Sequence, residues 1–268
     1  MKKLLALFTI FLVLTIYSCS TVPITGRSQF APLPASQMLA LGEQSYDQVL
    51  AQSQLSTNKA QTEMVRRVGR RIARAVENYF KANGMEEEMR GFDWEFNLIA
   101  SDQKNAWAMP GGKVAFYEGI LPICQDENGI AVVMGHEIAH AIAQHGNERM
   151  GQELAVQLGG MTLMTALSKK PEATQQLALT AFGLGSQIGI MLPYSRAHES
   201  EADEMGLYFM AMAGYDPNEA PEFWKRMNAG TGQESRPPEF LSTHPSPETR
   251  INKLKRLIPK ALKYQEVY

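Results

Sequence analysis

Residues 129–146 constrain the fold more than any other stretch, because an apolar helical sequence there carries ionisable side chains. The stretch contains no proline, is rich in alanine and aliphatic residues, and ends on a glycine that can adopt the left-handed conformation closing a helix. We therefore predict a buried helix. His136 and His140 are four residues apart and share one face of it, where two imidazoles can bind a single ion.

Glu137 directly follows His136, so its carboxylate points away from the histidine pair but stays close to an ion held there. Neutral imidazoles at this spacing suit zinc, and a carboxylate in this place can accept a proton from water. The alternative is a structural helix that contains these polar groups without a metal, but burying them without partners costs several kcal/mol. The pattern therefore favours a zinc site with Glu137 as general base.

The composition gives no support to a nucleic-acid partner. The 268 residues are 44% hydrophobic and 20% charged, with a formal net charge of −2. A basic stripe lies on an amphipathic helix predicted at residues 57–81, but Glu63 and Glu77 belong to the same helix, so we interpret the stripe as a solvated face. One domain of roughly 250 residues fits this length.

Residues 1–18 resemble a lipoprotein signal peptide, and Cys19 is the predicted lipidation site. Two lysines precede an apolar run that is shorter than the roughly 20 residues needed to cross a bilayer, which disfavours the alternative of a spanning anchor. Residues 19–35 are predicted as an extended lipidated tether, and residues 36–268 as one domain. The expected location is a periplasm-facing membrane lipoprotein, in the outer rather than the inner membrane.

A small sheet is predicted before the metal helix. Apolar residues alternate from residue 94 to 98, as in a strand, and residues 106–117 around Pro110-Gly111-Gly112 are typical of a hairpin. If the outer strand is exposed along the metal cleft, it can pair with an extended peptide; a sheet that only packs the helix is the alternative. The candidate substrate-strand residues are Asn105, Ala106, Trp107 and Ala108.

Residues 147–193 are rich in alanine, leucine, glycine and methionine and break at the polar segment 168–172, which predicts two helices in a hairpin. The second apolar stretch, near residues 177–192, contains several glycines and is expected to fall short of a full bilayer span. The hairpin either packs against the rest of the protein or forms a mobile lid or a surface for membrane or client.

A later helix, predicted at residues 198–212, supplies the third ligand. An open tetrahedral zinc site with two histidines needs one more protein ligand, and a carboxylate is the usual choice. Glu199 and Glu201 both qualify by chemistry. Asp203 lies four residues after Glu199 on the same face, where it can hydrogen-bond a ligand histidine. The spacing favours Glu199 as ligand and leaves Glu201 exposed or paired with an arginine.

Together these motifs resemble metallopeptidase family 48, the HtpX-like and CAAX-prenyl-protease family, and its periplasmic lipoprotein branch, which acts on outer-membrane proteins. Residues 21–27, 105–112 and 243–245 agree with the resemblance. It implies an α+β, mainly α zincin fold of the gluzincin type, with a small antiparallel-containing sheet and an HExxH active-site helix. It differs from integral-membrane members because no convincing span is predicted. The implied roles are one zinc ion per chain on His136, His140 and Glu199, Glu137 as base, and Asp203 in support.

His244 lies in a loop rich in proline and glycine, from which it can reach the cleft. His145 and His198 are rotated off the ligand faces of their helices, so we expect them to be structural. With Arg250, His244 resembles the histidine and arginine that the family places near the metal. Two roles stay open: a donor to the negatively charged reaction intermediate, or a removable fourth zinc ligand.

The favoured function is a zinc metalloendopeptidase that cleaves unfolded or misassembled envelope proteins, for protein quality control. The alternative is an assembly or chaperone-like factor with a structural metal, which would normally have four protein ligands. A hydrolase of esters or lipids would use the same residues. The expected partners are polypeptide substrates and a membrane, reached through the lipid anchor; the oligomeric state is not predicted.

Overall fold

The computed structural model describes residues 19–229, 240, 241, 244 and 248–267. The chain is mainly helical with small sheets, as predicted. In chain order the elements are β1 (Cys19–Thr21), β2 (Ser28–Phe30), α1 (Ala35–Gln52), α2 (Lys59–Ala82), β3 (Glu95–Ile99), β4 (Ala106–Met109), β5 (Lys113–Tyr117), α3 (Leu121–Cys124), α4 (Glu127–Ile142), α5 (His145–Leu167), α6 (Glu172–Ser186), α7 (Leu192–Met212), α8 (Glu219–Ala229) and α9 (Glu248–Val267).

The chain divides into two compact units. The first unit contains Met1–Pro34 and Gln144–His198, and the second contains Ala35–Ala143 and Glu199–Tyr268. The prediction of one domain for residues 36–268 stays a prediction.

The second unit contains a three-stranded sheet in the order β3-β5-β4. β3 runs parallel to β5, and β4 runs antiparallel to it, with Ala106 opposite Phe116 and Met109 opposite Lys113. The predicted hairpin is therefore confirmed. Its turn falls at Gly111 and Gly112, which both have positive φ, a conformation that glycine adopts without steric cost.

Helix α2 packs its apolar face on this sheet. Asn58 caps the helix by accepting a hydrogen bond from the backbone N–H of Gln61, and residues at three- and four-residue spacing are buried along it. The ring of Phe96 on β3 lies so close to Gly69 that a Cβ there would approach it to 2.4 Å. The amphipathic helix predicted at residues 57–81 is thus confirmed, and it supports the sheet that precedes the metal helix.

Helix α4 is the buried helix predicted at residues 129–146, although it is shorter than expected. Asp126 caps its start by accepting hydrogen bonds from the N–H groups of Asn128 and Gly129. It ends at Ile142 rather than at Gly146 because Gln144 adopts the left-handed conformation, with φ of 54°, and α5 begins at the next residue.

The first unit begins with a short hairpin where an extended tether was predicted. β1 pairs antiparallel with β2, and Gly26, with φ of 72°, forms the turn between them. Arg27 then donates two hydrogen bonds to the carboxylate of Glu148, at 3.0 and 2.8 Å, and His198 Nε2 lies 2.9 Å from the same group. This partly buried ion pair holds the segment against α5, so the described part of residues 19–35 is not a free tether.

The predicted helical pair is present as α5 and α6, but α6 does not end where a separate helix was expected to begin. It continues through a π-helical turn, Gln187–Met191, directly into α7. Pro193 follows the widened turn, where its missing N–H interrupts the backbone ladder least. The run Glu172–Met212 is, by length and composition, able to cross a membrane. The expectation that the apolar stretch near residues 177–192 falls short of a bilayer span is therefore wrong by length and composition.

Candidate functional site

The site is built in the second unit, on the face of α4 that carries the two histidines. His136 is buried, and its Nε2 lies 3.1 Å from Nε2 of His140. The four-residue spacing therefore brings both rings to one point, as the sequence predicts.

Helix α7 supplies the carboxylates because it crosses α4 at very short range. A Cβ on Gly206 would lie 2.7 Å from the backbone nitrogen of His136, and a Cβ on Gly135 would lie 2.6 Å from the Gly206 carbonyl oxygen. Two glycines at the crossing allow the backbones to touch. Glu199 consequently reaches both histidines, with its carboxylate oxygens 3.3 Å from His136 Nε2 and 3.4 Å from His140 Nε2.

His244 completes the cluster. Its Nδ1 lies 2.9 Å from Glu199 Oε1 and 3.2 Å from His136 Nε2. One ligand atom from each of His136, His140, Glu199 and His244 falls within 4.8 Å of all the others. Three imidazoles and a carboxylate are ligands that zinc prefers, so the residues present fit a metal ion.

Glu137 lies beside this cluster, and one of its carboxylate oxygens has no hydrogen-bond donor among the described residues. Its side chain is buried, its Oε1 makes no hydrogen bond within the described residues, and His244 Nε2 lies 3.4 Å from that oxygen. The backbone of Ala108 hydrogen-bonds the carboxyl group. A buried acceptor without a donor indicates that a further molecule, such as water, belongs there.

Arg250 and Asp203 contact the candidate ligands His136 and Glu199 and fix their orientation. Asp203 Oδ1 lies 3.1 Å from His136 Nδ1, so the opposite ring nitrogen faces the cluster. The buried guanidinium of Arg250 donates to Asp203 at 2.5 Å and to Glu199 at 3.3 Å. It also stacks 3.4 Å from the ring centroid of Trp224. Both predicted supporting residues therefore lie at the site.

Two aromatic residues at the site were not anticipated from the sequence. Trp224 lies under Arg250, and Phe240 stacks on Trp224 with ring centroids 5.7 Å apart. Phe240 also lies 4.6 Å from the ring of His244. Neither residue belongs to a periodic ligand pattern. The glycines at the crossing were missed as well, although Gly135 directly precedes the first ligand and Gly206 follows Asp203 by three residues.

The surroundings of the site shift the pKa values of Glu199 and Glu137 in opposite directions. Burial raises the pKa of Glu199, but hydrogen bonds with His136, His140 and His244 outweigh it and hold the pKa well below its usual range. The carboxylate is therefore ionised, as a metal ligand must be. Burial raises the pKa of Glu137 above its usual range. A carboxylate with a raised pKa is a stronger base, which suits proton transfer near neutral pH.

The candidate substrate strand lies where strand addition requires it. β4, which contains Ala106, Trp107 and Ala108 and follows Asn105, is at the edge of the sheet, paired on one side with β5. Among the described residues no other strand pairs with it. Its link to the site is the contact between Ala108 and Glu137. Strand β4 thus contacts Glu137, and its role in binding a substrate stays a prediction.

The remaining candidates lie elsewhere or differ from expectation. Glu201 was expected to be exposed or paired with an arginine; it is buried, because α7 is packed on more than one face, so the expectation of exposure is wrong. His145 and His198 stack in the first unit, with ring centroids 4.4 Å apart, and do not join the metal cluster. Cys19 is the first described residue and lies in β1; its lipidation stays a prediction.

Comparison with known proteins agrees with this geometry. The model of peptidase family M48 matches residues 60–258, a range that contains all four candidate ligands and Glu137. The chain belongs to peptidase family M48. An M48 domain therefore accounts for most of its length, and the predicted family and enzyme class are confirmed.

M48 proteins from several sources are similar to the chain. Mitochondrial metalloendopeptidase OMA1 of Schizosaccharomyces pombe is 35% identical over 243 residues, covering 90% of this chain and 66% of the relative. The human metalloendopeptidase OMA1 is 31% identical over 254 residues, covering 91% and 47%. The beta-barrel assembly-enhancing protease of Escherichia coli K12 is 29% identical over 238 residues, covering 87% and 46%. The chain thus spans between about half and two thirds of these M48 relatives.

The M48 relatives contradict the predicted location. OMA1 proteins from two yeasts, cattle, human and zebrafish are named as mitochondrial enzymes. The expectation of a bacterial outer-membrane lipoprotein is therefore wrong. It rested on a basic, apolar N-terminus that ends in Cys19 and on the resemblance to the lipoprotein branch of the family, and a basic, apolar N-terminus is not specific to one targeting route.

Proposed function

We propose that the chain is a zinc metalloendopeptidase that cleaves extended segments of unfolded or misassembled polypeptides. The observation that carries the proposal is the convergence of His136, His140, Glu199 and His244 beside a buried carboxylate, Glu137, with a free oxygen. The names of its M48 relatives, a mitochondrial metalloendopeptidase and an assembly-enhancing protease, support activity on proteins.

In this proposal His136, His140 and Glu199 hold the ion, and zinc supplies a Lewis acid for water and for the peptide carbonyl. Glu137 accepts the proton of the attacking water at its free Oε1 and passes a proton to the leaving amine nitrogen. Asp203 and Arg250 keep the His136 ring and the Glu199 carboxylate in place during these transfers.

The edge strand β4 binds the substrate in this proposal. An extended peptide that pairs with the free edge gains backbone hydrogen bonds whatever its sequence, which suits a protease acting on unfolded chains. Ala108 lies on this strand and contacts the Glu137 carboxyl. A peptide bond placed along β4 would thus lie close to the general base.

His244 serves as a removable fourth ligand in the proposal. Its Nδ1 lies among the other three donors, and four protein ligands would leave a bound zinc ion no open position for a substrate. In the proposal His244 therefore moves away from the cluster before turnover. The same four-donor set also favours a second candidate, a binding factor with a structural metal.

One experiment tests the proposal and separates these candidates. Casein is digested with the purified protein, with and without a chelator, and zinc is then added back; Glu137→Gln serves as the matched inactive control. We expect cleavage that chelator abolishes, zinc restores and the control lacks. Cleavage that survives the chelator would contradict the proposal. A protein that never cleaves but unfolds on chelation would support the structural metal.

A further inference from the structure

Residues 150–194, here called the apolar hairpin, expose large hydrophobic side chains along both arms. On α5 these recur at four- and three-residue spacing and form one stripe, whereas from α6 through the π-helical turn into the start of α7 they lie on more than one face. Met161 is 59% exposed, Ile188 66% and Leu177 72%. The exposed large residues are Met150, Leu154, Leu158, Met161, Met164, Leu177, Leu184, Ile188, Ile190, Leu192 and Tyr194.

Charged residues are missing from long runs of the apolar hairpin. Residues 154–168 and 173–195 contain no aspartate, glutamate, lysine or arginine, and the charges at the tip are Lys169, Lys170 and Glu172. In the helical run Glu172–Met212, only 6% of the most apolar window of 18 residues is buried. Soluble proteins rarely expose a continuous apolar surface of this extent, so the apolar hairpin requires a partner.

We propose that the apolar hairpin lies in one leaflet of a lipid bilayer, with its exposed apolar side chains in the acyl-chain region and Lys169 and Lys170 at the phosphates. The uncharged runs indicate that the partner of the apolar hairpin is a bilayer and not another protein. A protein interface has a polar rim and is enriched in arginine. Here 23 consecutive residues, 173–195, carry no charge on any face of the helix. An uncharged run of this length favours contact with the hydrocarbon region of a bilayer over a protein interface.

The length of the first arm favours one leaflet over a crossing. The second uncharged run, residues 173–195, is about 34 Å long as a helix and could span the core, but a crossing hairpin needs both arms to span it. The first uncharged run has 15 residues. As a helix it is about 22 Å long, shorter than the roughly 30 Å hydrocarbon core. A crossing hairpin would also carry both tip lysines through the core. When the hairpin lies along the interface, each lysine can extend its ammonium group to the phosphates instead.

Fluorescence labelling tests this inference without relying on peptidase activity. Leu177→Cys and Ile188→Cys are made in the full chain with Cys19→Ser; Cys124 is fully buried and therefore protected from the label. Each variant carries a nitrobenzoxadiazole label and is mixed with vesicles of phosphatidylcholine and phosphatidylglycerol. Val267→Cys is the matched control, because Val267 is as exposed as Leu177, at 72% for both, but lies at the end of α9.

We expect vesicles to shift the emission of the labels at 177 and 188 to the blue. Nitroxides high on the acyl chain should quench these labels more than nitroxides at the chain end, and the label at 267 should not respond. Lys169→Glu with Lys170→Glu should weaken the response of the hairpin labels to anionic vesicles. An emission wavelength of the labels at 177 and 188 that does not change on adding vesicles would overturn the proposal.

Three further outcomes would also overturn it. A blue shift without vesicles that grows with protein concentration would assign the apolar hairpin to a second copy of the chain. A shift on adding unfolded casein, but none with vesicles, would assign it to client proteins. Quenching that is strongest from the chain end would replace the one-leaflet arrangement with a crossing hairpin.

Discussion

Replacing Glu137 by glutamine separates what this carboxylate contributes to catalysis from what it costs the fold. The amide keeps the shape of the side chain and can still accept the hydrogen bond from Ala108, but it cannot take up the proton of water. The four candidate metal ligands are untouched. We therefore expect Glu137→Gln to retain its metal and its fold while losing turnover.

The expected loss of rate follows from the role of the group. A positioned general base contributes about 10²–10⁴ in rate, which corresponds to about 3–5 kcal/mol of activation free energy. We expect a loss towards the upper end of this range of rates, because bulk water has little access to Glu137, whose side chain is 3% exposed. KM should change little, since in the proposed binding mode the edge of β4, and not Glu137, binds the substrate.

The same substitution should stabilise the metal-free protein at high pH. Burial raises the pKa of Glu137 above the ordinary 4.5, so the folded state holds this proton at pH values where the unfolded state has lost it. Its contribution to stability is therefore full below the unfolded pKa and is lost as pH rises through the folded pKa. Removing a buried acceptor without a donor is worth about 1–3 kcal/mol, or a few degrees in Tm.

The two effects are measured side by side. Cleavage of a quenched peptide gives kcat and KM, metal analysis gives zinc content, and thermal unfolding in chelator is recorded at pH 5 and pH 8. We expect a large loss of kcat, unchanged zinc, and a Tm advantage over the wild type that grows from pH 5 to pH 8. A variant with wild-type kcat would refute the role of Glu137 as base, and one that is less stable at pH 8 would refute the argument from burial.

Three further substitutions probe how the cluster is assembled. His244→Ala should raise kcat/KM by about 10-fold or more if the four-ligand state dominates at rest; a fall of about 10²–10³ would instead make this histidine an oxyanion donor. Gly206→Ala places a Cβ 2.7 Å from the backbone of α4. It should lower stability by about 1–3 kcal/mol and weaken zinc binding in chelator competition. Gly185→Ala, with nothing within 4 Å, is its control, and equal effects of the two would contradict the close crossing. Arg250→Met removes the guanidinium that donates to Glu199 and Asp203. It should lower the free energy of unfolding of the metal-free protein, measured with denaturant, by about 3–5 kcal/mol. An unchanged free energy would show that the two carboxylates find other partners.

The sequence by itself determined the local part of the site. The spacing of His136 and His140 on a proline-free apolar helix puts both rings on one face, and Glu199 and Asp203 share a face for the same reason. The β4–β5 hairpin and the amphipathic α2 also follow from periodicity and turn residues, which act over a few neighbours along the chain. These features depend on short-range geometry, so a pattern of residues is enough to predict them.

Only the tertiary structure decided how these pieces meet. The two ligand helices are brought together by the contact of Gly135 with Gly206, and the place of His244 depends on the aromatic rings around it. Hydropathy also predicted an apolar hairpin, but its exposure depends on which surfaces the rest of the fold leaves uncovered. Contacts between residues distant in the chain set all three features, and residue spacing carries no information about such contacts.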